Sequence, residues 1–119
     1  MRRFIALLTV GLLLTAAGAA AAQDARKRAA SEVQFGIEVA QKGLWREALY
    51  RWEKAVEIDP QYAAAYNNLA IAYEHEGMFE KARQAYEKAA QLEPKNTYVR
   101  QNYEFFKEIN DRASRRNAR

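Results

Sequence analysis

The one histidine in the chain, His75, stands between Glu74 and Glu76, and an imidazole flanked by carboxylates is the usual raw material of a general base or a metal site. Either chemistry needs its groups to converge on a point. Consecutive residues of a helix point in different directions, so the two glutamates cannot be preorganised around His75. It reads instead as a solvated helix residue. Beyond position 22 the only Ser and Thr hydroxyls are Ser31, Thr97 and Ser114, and no glycine-rich phosphate loop accompanies them. The absence of cysteine removes thiolate nucleophiles, thiolate metal sites and disulfides together. No catalytic, cofactor-binding or metal-ligating residues are expected, and the chain reads as a protein that is not an enzyme.

The charged residues point the same way. Acidic and basic side chains stand beside one another at helical spacings, as in Glu53-Lys54 and Glu87-Lys88, the pattern of a solvated outer face. The net charge is +4. Excess positive charge gathers in Arg26-Lys27-Arg28 and in Arg112, Arg115, Arg116 and Arg119. Runs this short are expected as solvated segments. Nucleic-acid binding through the C-terminal arginines is the alternative function, weakened because phosphate recognition depends on denser positive charge.

The elements that would carry these residues follow from an internal repeat. Shifting the sequence by 34 positions lays Gly43 on Gly77, Ala48 on Ala82, Glu53-Lys54-Ala55 on Glu87-Lys88-Ala89, and Pro60 on Pro94. Ile37 meets Ile71, Trp45 meets Phe79, and Trp52 meets Tyr86. Apolar residues recur three and four apart on either side of Gly43 and Gly77, so each unit is predicted to be two helices joined at a glycine. Asp59-Pro60 and Glu93-Pro94 should end the second helix of each unit, because proline disfavours helical geometry in the residue before it. Asn96 is a predicted helix cap, followed by a helix over 97–113 that buries Val99, Tyr103 and Phe106.

In its order and spacing of Tyr66, Leu69, Ala70, Tyr73, Gly77, Ala82, Tyr86, Ala89 and Pro94, the second unit resembles the tetratricopeptide repeat (TPR). The first unit fits at Phe35, Gly36, Gly43, Ala48, Trp52, Ala55 and Pro60, with Glu32 in place of the expected aromatic and Val39 in place of a tyrosine. The resemblance implies an all-α fold, an α-solenoid of two TPR helix hairpins over 29–62 and 63–96. A capping helix over 97–113 follows, then a basic tail over 114–119. Solenoid repeats cannot bury their apolar faces alone, which is why a terminal cap is required.

The resemblance also implies a protein or peptide partner, held in a groove lined by the first helix of each unit. Carried over by position, the groove takes Val33, Gln34, Ile37 and Gln41, then Asn67, Asn68, Ile71, Glu74 and His75. Tyr98, Gln101, Asn102, Phe105 and Ile109 complete it from the cap. Asn68 stands where related domains bond a bound peptide backbone, and its amide both donates and accepts. One TPR subclass clamps the C-terminal carboxylate of heat-shock chaperones with lysine, arginine and asparagine. Here Val33, Ile37, Tyr98 and Asn102 take the corresponding places and only Asn68 matches, so that ligand class is not expected. With two repeats and a cap, dimerisation or docking on a larger partner is expected, and Tyr98, Phe105 and Ile109 form a second apolar stripe that could serve either.

Residues 1–22 read as a secretory signal helix of bacterial type: Arg2 and Arg3, an apolar run from Phe4 to Leu14, then small residues ending at Ala22. An uncleaved membrane anchor is the rival reading, with a short basic linker over 23–28 in either case. Cleavage would remove two of 19 basic residues against 15 acids, leaving a net charge of +2. The expected location is therefore exported, periplasmic or envelope-associated, or anchored in the inner membrane facing the periplasm.

Overall fold

The structure, a computed structural model, describes the backbone from residue 2 and the side chains from residue 16 to the C-terminus. Among the described residues there are five α-helices and no strand: α1 (Arg2–Gln41), α2 (Trp45–Ile58), α3 (Ala63–His75), α4 (Phe79–Leu92) and α5 (Thr97–Asn117). The chain folds as two helix hairpins, α1–α2 and α3–α4, stacked side by side and closed by α5.

The turns are where the glycines and prolines require them. Gly43 and Gly77 adopt φ of 78° and 71°. Around Gly43 the amide of Leu44 bonds the carbonyl of Val39 at 3.0 Å while Gly43 bonds Ala40 at 2.9 Å, and around Gly77 the amides of Met78 and Gly77 bond Tyr73 and Glu74 in the same way. These paired bonds close the last turn of α1 and α3 and need a left-handed residue between them. Asp59 leaves the helix in extended geometry ahead of Pro60, and its carboxylate accepts the Gln61 amide at 3.0 Å. Asn96 caps α5, its side chain accepting the Val99 amide at 3.2 Å.

Ala48, Ala55, Ala82 and Ala89 are wholly buried, which lets the paired helices approach closely. One core lies between the hairpins, with Trp52, Val39, Ala65, Leu69 and Ala72 at its centre. A second lies under the cap, where Tyr86 and Phe106 meet with ring centroids 5.3 Å apart. Val99 and Phe106 are buried and Tyr103 half-buried, so the cap turns the expected stripe inward.

At the free edge of the first hairpin Phe35 stays 42% exposed, whereas its counterpart in the second, Leu69, is 5% exposed. The Arg51 guanidinium lies 4.2 Å from the Phe35 ring centre and pairs with Glu32 and Glu47, while Lys54 also reaches Glu32. Glu32, in the place of an aromatic, thus anchors a charged cover over a repeat edge that no other repeat among the described residues overlies.

Two boundaries differ from expectation. Residues 23–28 are not a linker but continuous helix within α1, and Arg26 bonds Asp59 at 2.5 Å and the Gln61 carbonyl at 3.3 Å. Alanine, glutamine, lysine and arginine are strong helix formers, and no glycine or proline falls in this stretch to break a helix. The tail expected from residue 114 is likewise helical as far as Asn117, supported by an Arg112–Glu108 pair one turn apart. The apolar run of the expected signal helix, Phe4 to Leu14, lies outside the residues whose side chains are described. No helix among the described residues is long and apolar enough to cross a membrane.

Candidate functional site

A cleft of about 270 Å³ opens between the hairpins, lined by Ile37, Ala40, Gln41, Trp45, Trp52, Asn68 and Ile71. The helical period explains the set. Ile37, Ala40 and Gln41 lie three and four apart on α1, as do Asn68 and Ile71 on α3, so each helix turns one stripe toward the opening. The walls are mostly apolar, with the amides of Gln41 and Asn68 as the polar groups. Asn68 donates one amide proton to the Ala64 carbonyl at 2.9 Å, which fixes the side chain while using one of its two donors.

Of the residues expected to line the groove, Ile37, Gln41, Asn68 and Ile71 share this cleft. Val33 and Asn67 do not, being 5% and 2% exposed. Val33 packs in the inter-hairpin core while its carbonyl accepts the Trp52 indole N–H at 3.1 Å. Asn67 accepts a hydrogen bond from the Asn102 side chain at 3.2 Å, so this expected pair of groove residues ties the second hairpin to the cap instead. Val33 continues the α1 stripe one turn before Ile37, and Asn67 stands one residue from Asn68 on α3; packing against the neighbouring helices buries both.

Glu74 is half-buried and accepts the Tyr86 hydroxyl at 2.6 Å. Burial, reinforced by the Glu74 hydrogen bond and charge, pushes the Tyr86 phenol far above its ordinary range. His75 stacks on Trp45 with ring centroids 3.5 Å apart and planes 11° from parallel, and nearby Arg46 reaches Glu76 at 3.6 Å. Tyr98, Phe105 and Ile109 are 63%, 65% and 49% exposed along α5. Gln34 and Gln101 are exposed as well.

Ala40, Trp45 and Trp52 are the cleft residues that reasoning from the sequence passed over. The signal was the 34-residue period itself, because the shift that carries Trp45 to Phe79 also carries His75 to Ile109. A second cleft, about 250 Å³, lies between α3 and α4 and is lined by Tyr66, Leu69, Tyr73, Lys81, Gln84, Ala85 and Lys88. No three His, Cys, Asp or Glu residues gather as a metal site among the described residues.

Residues 63–96 match the family described as tetratricopeptide repeat, and residues 38–77 match a second family described as TPR repeat. This is a tetratricopeptide-repeat protein. The fold agrees: the structure is similar to the Arabidopsis OM64 TPR domain, with a TM-score of 0.67 and 20% sequence identity over 74% of this chain and 73% of that one. No curated protein matches the sequence. TPR hairpins are in general scaffolds for protein–protein interaction, typically without catalysis, and the mostly apolar cleft of this chain lies between its two hairpins.

Proposed function

We propose that this TPR protein is an adaptor of the bacterial cell envelope, receiving an extended or helical segment of another protein in the cleft between its repeats. The observation that carries the reading is the lining of that cleft. Ile37, Trp45, Trp52 and Ile71 offer apolar walls to alternate side chains of a guest, and Gln41 and Asn68 offer amides to its backbone. Export rests on the arginines, apolar run and small residues of 1–22, either as a cleaved signal peptide or as an anchor that leaves the repeats facing the periplasm. Pairing of the chain with itself belongs to the same reading, since two repeats and a cap are fewer than solenoids usually need for independent stability.

The cleft is tested by placing a photo-crosslinking residue at Gln41, at its rim, or at Glu57, exposed on α2 and outside the lining. A guest of the cleft is captured from position 41 and not from position 57, and Asn68→Ala lowers the yield. Equal capture from both positions would remove the cleft from the reading. N-terminal sequencing of the chain recovered from cells tests the leader: a start at Gln23 marks a cleaved signal, and an intact Met1 marks an anchor.

A further inference from the structure

Six residues of α5, Tyr98, Asn102, Phe105, Ile109, Arg112 and Arg116, follow one another at alternating spacings of four and three. That is the 3.5-residue period along which two helices pack side by side. Of this stripe the fold engages Asn102, half-buried, whose amide N–H donates to Asn67 while its carbonyl oxygen can still accept, and its core takes Val99 and Phe106 from another side of the helix. The body of the protein does not reach the end of α5. The helix has 21 residues against 14 in α4 and 13 in α3, and residues 111–119 are all exposed.

The stripe is its own complement when reversed about position 107. Antiparallel to a second copy, Phe105 meets Ile109, Asn102 meets Arg112 and Tyr98 meets Arg116, and each contact occurs twice across the two-fold axis. The centre is apolar. Outside it an arginine faces an amide that can accept its N–H groups, and beyond that a guanidinium faces a phenol ring, a pairing favoured by the ring's quadrupole. Parallel pairing would set Arg112 against Arg112 and Arg116 against Arg116, so the charges themselves select the antiparallel register. Glu108 beside the stripe is already neutralised by Arg112 of the same helix. The contact spans roughly 27 Å from Tyr98 to Arg116, at 1.5 Å per residue.

We propose that the protein pairs with a second copy of itself through this stripe, α5 lying antiparallel on α5. The two turns that overhang one copy then cover the first half of the other's stripe. Such pairing rests on the chain being an interaction module, yet leaves the cleft of Ile37, Asn68 and Ile71 out of the contact.

The absence of cysteine makes the test direct. In sedimentation of the full chain over a dilution series, a dimer forms by mass action, and Ile109→Glu, at an exposed position, weakens it roughly tenfold or more without loss of helicity. Mixing full chains carrying Tyr98→Cys with full chains carrying Arg116→Cys gives a disulfide-linked pair under mild oxidation, while neither alone cross-links, because its cysteines stand at opposite ends of the contact. A chain that stays monomeric, a dimer unmoved by Ile109→Glu, or cross-linking by Tyr98→Cys alone would each overturn the proposal. A monomer that still captures a guest from position 41 would overturn the pairing and leave the cleft standing.

Discussion

The indole nitrogen of Trp52 lies 2.3 Å from where a Cβ on Gly36 would stand, and it donates to the Val33 carbonyl three residues earlier on the same helix. Gly36 is therefore the price of bringing α2 against α1 through a tryptophan. The close approach joins the TPR pattern of small and aromatic residues to the core that holds the cleft open beside it.

Gly36→Ala should destabilise the protein although alanine is the better helix former. Propensity favours the change by about 1 kcal/mol. Against that, displacing a buried, hydrogen-bonded indole from a packed core costs about 1–3 kcal/mol for the overpacking and about 1 kcal/mol for the bond. The net loss, about 1–3 kcal/mol, would appear in urea unfolding as a lower midpoint at unchanged slope. An alanine variant as stable as the parent would show that the indole moves freely.

Gly77→Ala should lose stability for another reason. No atom lies within 4 Å of a Cβ there, but φ is +71°, and a side chain in the left-handed region costs about 1–2 kcal/mol. Asparagine tolerates that region better than alanine. The stability order at position 77 should therefore run glycine, asparagine, alanine. At position 36, where volume decides, asparagine should be worse than alanine. The same order at both positions would contradict the distinction.

Much of this fold was legible because its punctuation is chemical: Gly43 and Gly77 must take positive φ, Pro60 and Pro94 end helices, and the repeated alanines have no other use than close packing. The ends of the chain were illegible for the converse reason. Nothing in Ala19–Arg28 or Ala113–Asn117 stops a helix, and composition alone does not separate a solvated helix from a tail. In the cleft, Ile37, Asn68 and Ile71 followed from repeat position. Val33 lies one turn before Ile37 and Asn67 one residue before Asn68, where the packing of the adjacent helix decides whether a residue is wall or core. The Trp45–His75 stack crosses from one hairpin to the next and has no local signature.

The Asn67–Asn102 bond makes the cap dependent on a buried amide. Asn102→Ala should cost about 1–3 kcal/mol, because Asn67, 2% exposed, is left without that donor. Asn67→Ala removes the same bond, so the double variant should lose less than the sum of the two singles. Additive losses in a double-mutant cycle would mean that the bond contributes nothing.

Arg26 should give the protein an acid-sensitive contact. Burial acts to raise the Asp59 carboxyl, but the Arg26 hydrogen bond, the Gln61 amide and the Arg26 charge outweigh it and hold the group below its ordinary 3.8. A lowered folded-state value means stability that is present above pH 3.8 and lost as pH falls through the folded value. Arg26→Ala should cost about 0.5–1 kcal/mol near neutrality, as expected of a partly exposed pair. The Asp59 resonance followed by NMR should then titrate at higher pH than in the parent, and an unmoved titration would place the effect outside the Arg26 contact.

The alkaline side should be governed by Tyr86. Burial is the largest cause raising its phenol, and the Glu74 hydrogen bond and charge add to it. Because the folded state holds this proton more tightly than the unfolded chain, its contribution is whole below pH 10 and falls as pH rises toward the folded value. Tyr66, Tyr73 and Tyr103 are raised as well, chiefly by burial, so they steepen the same limb. Tyr86→Phe should cost about 1 kcal/mol near neutrality, where the hydroxyl still donates to Glu74 in the parent. Above pH 10 the parent should lose stability faster than the variant by up to about 1.4 kcal/mol per pH unit, the equivalent of one proton. The two stability curves should therefore converge on the alkaline side. Urea unfolding at a series of pH values measures both slopes, and parallel curves above pH 10 would show that Tyr86 gives up its proton as readily folded as unfolded.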